Sequence, residues 1–413
     1  MAKEYNDLVV GLDIGTAKVM AVVAEVLAGG ELRLAGLGVA PSHGLKRGVV
    51  VNIDATMQSI QQALKEAEMM ADCKISRVYT GISGSHVRGR NSTGMVIVRD
   101  KEVSALDVAR VVDTAKAINI PNDQRLLLVE PQEFVIDGQE VREPVGMSGA
   151  RLEVRVHIVT GAHSAAENIV KCVRRCGLEV EQLVLNPSAS SQSVLTPDEK
   201  DLGVALVDIG AGTTSIAVYE ENTLLHTAVL PLGGLHITND LAIGLRTSID
   251  TAERVKILYG HANPDSVDKH VTIDLSKLDE SETEQVDRRE VVEIIEARLG
   301  EIFEYVNKEL KLINRDGKLP AGVVLVGGTA NLPGIAEYAK SALRLPAGRG
   351  QLQGLRTIID RVDDPSFAVV CGLVLWSSAF ATASAGGFGS SARRLLENPN
   401  MLKLKRWFKS FLP

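Results

Sequence analysis

Val10-Gly11-Leu12-Asp13-Ile14-Gly15-Thr16-Ala17-Lys18 and Val207-Asp208-Ile209-Gly210-Ala211-Gly212-Thr213-Thr214 are two versions of one pattern. In each, an apolar run (Leu8 to Val10; Val204 to Val207) meets an Asp-led glycine turn. A second β-rich run follows (Val19 to Val26; Ser215 to Tyr219). Strand, tight glycine turn, strand predicts a β-hairpin. Two such hairpins facing each other would hold a polyphosphate between them. Backbone N–H groups would be the donors, and an Asp on each side, Asp13 and Asp208, would orient a Mg2+ through its water. The repetition predicts a duplicated fold with a cleft.

A third turn, Gly327-Gly328-Thr329, ends the apolar run Ala321 to Val326. One glycine turn is weak evidence. Three after apolar strands, two with Asp-x-Gly, point to a nucleotide. Gly15, Gly210 and Gly212 permit positive φ and close approach of backbone to phosphate. Thr16, Thr213 and Thr214 add hydroxyl donors, and Lys18 places a positive charge near the β- and γ-phosphates. Gly327 and Gly328 would let an adenine or ribose lie on bare backbone.

The chain's 413 residues can hold two or more full cores. Hydrophobic content of 45% and charged content of 23% are ordinary for a soluble globular protein. A net charge of −7 argues against broad nucleic-acid binding. Cys172 and Cys176 share a helix face, Cys73 and Cys371 lie apart, and no metal set forms around them. They are read as packing residues of a reducing cytosol. The polar start, Met1 to Asp7, lacks the apolar core of a signal peptide. Ser366 to Ala392 carries no charge, but its Ser, Ala and Gly residues favour a buried helix over a membrane span.

Periodicity divides the chain. Residues 1–84 and 161–195 read as a first α/β unit around the first turn, with a strand at Leu32 to Val39, a helix at Ile53 to Met70 capped by Asn52 or Asp54, and a strand at Val78 to Ile82. Residues 85–160 read as a small α+β insert. Residues 196–246 and 313–381 repeat the plan around the second and third turns. Residues 247–312 form a smaller, charged subdomain ending in an amphipathic helix, Val291 to Leu312. Within it Asp279 to Arg289 reads as a solvated face or loop. Residues 382–399 have the composition of a flexible linker.

The last segment, 400–413, predicts an amphipathic helix. At 100° per residue Met401, Leu404, Trp407, Phe408, Phe411 and Leu412 fall within an arc of roughly 140°. Lys403, Lys405, Arg406 and Lys409 take the other side, and Leu402 is the misfit. The segment has four basic and no acidic side chains, which suits a helix lying in an anionic membrane surface. Burying the apolar face would yield roughly 5–10 kcal/mol before ordering costs. The contacts are expected from Met401, Leu404, Lys405, Trp407, Phe408, Lys409, Phe411 and Leu412.

These features resemble the actin, Hsp70 and sugar-kinase ATPase superfamily, and within it the FtsA family of bacterial cell-division proteins. The resemblance is carried by the two phosphate turns, the Asn186-Pro187 connection, Gly327-Gly328-Thr329, Gly44-Leu45-Lys46-Arg47-Gly48-Val49-Val50, the insert after Val78, and Ala252-Glu253-x-x-Lys256 followed by Gly260. It implies a duplicated actin-like (ribonuclease H-like) ATPase fold with ATP and Mg2+ in the cleft, and Glu253 and Lys256 reaching the nucleoside. It implies self-association into filaments, other division proteins binding the insert, and the FtsZ C-terminal tail on the helix 291–312, for which Arg298, Asn307, Lys308 and Lys311 are the candidates. Its expected place is the cytoplasmic face of the inner membrane at the septum.

Other functions fit less well. A small-molecule kinase needs a carboxylate base near the γ-phosphate, and Asn186 to Ser191 holds none. An Hsp70-like chaperone needs a β-rich substrate domain after residue 382. An actin-like pilus-assembly protein would be expected to lack the basic tail. On this reading ATP controls assembly and hydrolysis is secondary.

Overall fold

Two sheets built on the same plan carry the two Asp-led turns. The computed structural model describes residues 8–27, 30–268, 270–356 and 362–386. The expected membrane helix 400–413, with all its candidate contacts, lies outside the described residues, as does most of the expected linker.

The first half opens with β1 (Leu8–Ile14), β2 (Lys18–Val26) and β3 (Leu32–Pro41). Leu8 through Ile14 pair antiparallel with Glu25 through Val19 in unbroken register, so the first turn closes a hairpin. A tiny second hairpin, β4 (Leu45–Lys46) and β5 (Val49–Val50), leads into α1 (Ile53–Ala71). The Asn52 side chain caps α1 by accepting the Ala55 N–H at 3.0 Å. Ile60, Ala63, Leu64 and Ala67 are its buried stripe. It lies so close to the sheet that a Cβ on Gly38 would stand 1.8 Å from the Ala63 carbonyl oxygen. β6 (Arg77–Ile82) then runs parallel to β1.

The insert follows as β7 (Arg88–Ile97), α2 (Ala105–Lys116), β8 (Gln124–Ile136), β9 (Gln139–Val141) and β10 (Arg151–Ala162). Its antiparallel sheet has the order β7-β10-β8-β9. The chain returns through α3 (His163–Arg175) to β11 (Glu179–Leu185), parallel to β6.

α4 (Asn186–Val194), with Pro187 in its first turn where no N–H is needed, and α5 (Pro197–Leu202) cross to the second half. There β12 (Val204–Ile209), β13 (Thr214–Glu220) and β14 (Thr223–Leu230) precede α6 (Gly234–Gly244) and α7 (Ile249–Tyr259). β15 (Thr272–Asp274) and β16 (Gln285–Asp287) pair with each other and precede α8 (Arg288–Leu312). The charged run 279–289 is thus not all loop: its end enters β16, and Val286 is buried. β17 (Gly322–Val326), α9 (Ile335–Leu343), β18 (Ala347–Arg349), β19 (Leu355–Arg356) and α10 (Ala368–Gly386) complete the described chain.

The second sheet, β14-β13-β12-β17-β18, repeats β3-β2-β1-β6-β11 of the first. Each has a hairpin, a third antiparallel strand on one side and parallel strands on the other. The insert covers β14, the open edge of the second sheet. His157 in β10 bonds Thr227 Oγ1 at 2.9 Å, and Gln132 in β8 donates to the Leu224 and Leu225 carbonyls at 2.8 and 3.0 Å.

Two features differ from expectation. α10, expected with the second half, packs on the first. Its Val370, Cys371 and Val374 share a core with Met20, Val22 and Leu37, and β19 pairs parallel with β3. The helix also continues to Gly386, so residues 382–386 of the expected linker are helical. A helix apolar on all sides needs cover on all sides, and for residues 368–377 the first sheet and α4 supply most of it. Among the described residues no helix is long and apolar enough to cross a membrane.

A Cβ on Gly372 would stand 1.9 Å from the Ala189 carbonyl oxygen of α4. Gly372→Val is therefore expected to destabilise the protein by about 3 kcal/mol or more, read as a lowered urea midpoint. An unchanged midpoint would contradict this packing.

Candidate nucleotide site between the two halves

β1 and β12 each bring an aspartate to the cleft near the strand end. Asp13 and Asp208 are only 6% and 9% exposed. Burial first, and then the charge of Asp208, push the Asp13 carboxyl up to about 7, opposed by a hydrogen bond from Asn186. Burial pushes Asp208 up to about 6. The Asn186 amide donates to Asp13 Oδ1 at 3.5 Å, while its own Oδ1 is buried with no partner. Two hard carboxylates and an unsatisfied amide oxygen suit a small dication that keeps most of its water. Among the described residues no larger cluster of His, Cys, Asp and Glu offers a fully protein-ligated metal site.

The two turns close alike. The Gly15 N–H donates to the Lys18 carbonyl at 3.0 Å, and the Gly210 N–H to that of Thr213 at 2.9 Å. They meet across the cleft: a Cβ on Gly212 would stand 2.8 Å from Thr16 Oγ1 and 3.0 Å from Arg47 Cα. Ser83 and Ser215 hydroxyls cross between the halves at 3.0 Å. Thr16 accepts the Gly48 N–H at 3.1 Å, and Thr213 is half-buried. Thr214 is buried and gives its hydroxyl to the Leu232 carbonyl at 2.9 Å, so it braces the turn and offers no donor to the cleft.

The third turn lies beside the second. Gly327 has φ 86°, and a Cβ there would stand 2.4 Å from Asp208 Oδ1. Around Gly328 the space is open. Thr329 donates to the Gly210 carbonyl at 3.4 Å. Glu253 and Lys256 of α7 reach the same place. Lys256 Nζ donates to Glu253 at 2.6 Å, to Thr238 Oγ1 at 2.8 Å and to the Gly234 carbonyl at 3.2 Å. The pair is thus an i,i+3 ion pair built into the wall formed by Gly210, Gly234 and Thr329. Lys18 is exposed and acts on Asp364. Burial raises Asp364, but hydrogen bonds from Asn331 and Ser366, with the charge of Lys18, hold it below the usual carboxylate range.

Two residues stand out that motif reading undervalued. Asn186 was legible only as a connection, although a polar residue opening a helix opposite Asp13 was the signal. Arg47 enters the motif reading only as part of the run Gly44 to Val50, yet its Cα abuts the second turn.

The partner-helix candidates are not equivalent. Arg298 is committed internally: it grips Asp240 of α6 at 2.6 and 2.9 Å and also bonds Glu301. Lys308 is exposed, pairs with Glu304 at 2.9 Å and lies 4.6 Å from the Tyr305 ring centre. Asn307 is half-buried and Lys311 exposed.

Comparison with known proteins agrees with this architecture. Residues 205–372 match the family model described as cell division protein FtsA, and residues 84–160 match the SHS2 domain inserted in FtsA. The cell division protein FtsA of Pseudomonas aeruginosa is 45% identical over 98% of each chain. That of Neisseria meningitidis is 48% identical over 88% of each, and that of Escherichia coli 40% over 89% of each. Among solved structures, a PilM–PilN type IV pilus biogenesis complex aligns with TM-score 0.65 at 20% identity, covering 90% of this chain and 98% of the other. Spiroplasma citri MreB5 bound to ADP aligns with TM-score 0.54 at 14% identity, covering 93% and 100%.

The raised carboxylates have a consequence for stability. The native chain holds protons at Asp13 and Asp208 more tightly than the unfolded chain does. That contribution is complete below the unfolded value near pH 4 and is lost as pH rises through 6 to 7. Without nucleotide or magnesium, Asp13→Asn is therefore expected to melt several degrees above the parent at pH 8, with the gap narrowing toward pH 4. A gap independent of pH in thermal scans would contradict this assignment.

Proposed function

This chain belongs to the FtsA family of cell-division proteins, and from that premise we propose that it is an ATP- and Mg2+-binding scaffold that tethers the FtsZ ring to the membrane. The observation that carries the nucleotide reading is the pairing of two buried, mutually repelling carboxylates beneath two facing glycine turns. Asp13 and Asp208 orient the hydrated dication, helped by Asn186. Gly15, Thr16, Gly210, Gly212 and Thr213 cradle the phosphates, and Lys18 adds charge at the rim. Gly327, Gly328 and Thr329 lie beside the nucleoside, with Glu253 and Lys256 behind them. The likeness to an ADP-bound MreB5 supports a nucleotide in this fold.

The remaining roles follow the sequence. The outer side of α8, with the exposed Lys308 and Lys311 and the half-buried Asn307, receives the FtsZ tail, while Arg298 holds α8 on α6. The insert meets other division proteins, and copies of the chain associate into filaments. Residues 400–413 lay their apolar face in the anionic inner-membrane surface, with Trp407, Phe408 and Phe411 as anchors. One tail binds reversibly, and many on one filament bind firmly by avidity. ATP sets the cleft and the polymer interface.

The joint test is electron microscopy on an anionic lipid monolayer with ATP, with and without residues 400–413. Filaments that need both the tail and ATP are expected; ATP-independent decoration would overturn the proposal. Trp407→Glu is expected to abolish sedimentation with anionic liposomes while ATP binding stays intact. Asp208→Ala combined with Gly328→Asp is expected to abolish binding of a fluorescent ATP analogue, because the open space at Gly328 admits a carboxylate without disturbing the fold.

A further inference from the structure

Arg47 occupies a position that disfavours its residue type. In the β4–β5 hairpin Lys46 pairs with Val49, leaving Arg47-Gly48 as a two-residue turn. Both residues have positive φ, 51° at Arg47 and 77° at Gly48. That is the pattern of a type I′ turn, whose first central position favours Asn, Asp or Gly. An arginine there crowds its Cβ against the backbone. Strain of this kind points to a use for the side chain.

The hairpin tip is held between the two glycine turns. The Gly48 N–H donates to Thr16 of the first turn at 3.1 Å. Gly212 of the second turn lies so close that a Cβ on it would stand 3.0 Å from Arg47 Cα. Arg47 is exposed and forms no ion pair among the described residues. Its charge reaches the start of α6 across the cleft. Burial is the main reason the His236 imidazole titrates low, and Arg47 adds to it. Lys18, an exposed cation of the first half, acts on Asp364.

We propose that Arg47 senses the terminal phosphate, its guanidinium pairing with the γ-phosphate oxygens of a nucleoside triphosphate held between the two turns. This rests on the reading of the cleft as a nucleotide site. The planar guanidinium matches phosphate oxygens two at a time. Because Thr16 ties the tip to the first turn, a triphosphate bound by Arg47 links the first half to Gly212 and α6 of the second. A diphosphate lacks the group that makes the link.

The test measures dissociation constants of Mg-ATP and Mg-ADP by calorimetry on the full chain, its Arg47→Gly and Arg47→Lys variants, and Lys46→Ala. Glycine suits φ 51° at this position, so Arg47→Gly is expected to melt no lower than the parent. It should nonetheless weaken Mg-ATP binding by about tenfold or more, with Mg-ADP changed less than about twofold. Arg47→Lys should restore part of the preference, and Lys46→Ala should keep it. Equal weakening of both nucleotides, an unchanged ATP-to-ADP ratio in Arg47→Gly, or the same loss in Lys46→Ala would each overturn the sensor role. A parent chain that binds neither nucleotide would overturn the nucleotide reading, and the sensor role with it.

Discussion

Asp13 and Asp208 are like charges buried between two halves of one chain, and each half contributes one of them. Burial makes their ionised forms costly, and each other's field adds to the cost at Asp13. A group that neutralises them stabilises the arrangement in which both halves face it. The cleft is therefore an electrostatic coupling between the two sheets. The glycines beside it follow from the same crowding: a Cβ on Gly327 would strike Asp208, and one on Gly212 would strike Thr16.

The duplication explains how two aspartates come to face each other. Each sits on the strand that pairs antiparallel with its hairpin partner on one side and parallel with a later strand on the other. That strand is central, so its end is buried in the layer between the two units. The halves are not independent, however. α10 and β19 carry the chain back onto the first sheet, and the insert straps the edge strand β14 through His157 and Gln132. A change in the cleft angle must be accommodated at these contacts.

Much of this was legible in the residues. The hairpins, α1 with its Asn52 cap, the insert and the amphipathic α8 follow from local periodicity and turn chemistry, which act over a few residues. The allegiance of α10 was not legible, because an apolar helix shows that it is buried but not against what. The fate of individual polar groups was also hidden. Thr213 and Thr214 are neighbours of the same chemistry, yet only Thr214 is consumed by the Leu232 carbonyl. Arg298 and Lys308 are both cations of α8, yet only Arg298 faces Asp240.

The sequence by itself determined the repeated Asp-led turn, and with it a two-fold α/β plan with a nucleotide pattern at the first hairpin of each half. It determined the amphipathic character of residues 400–413 as well, since both depend on spacing along the chain. Only the tertiary structure decided that the two turns touch, that Asp13 and Asp208 are buried together beside Asn186 with its partnerless amide oxygen, and that Arg47 stands at their junction. These are encounters between residues far apart in sequence. They depend on how two separately patterned sheets pack, and no local rule carries that information.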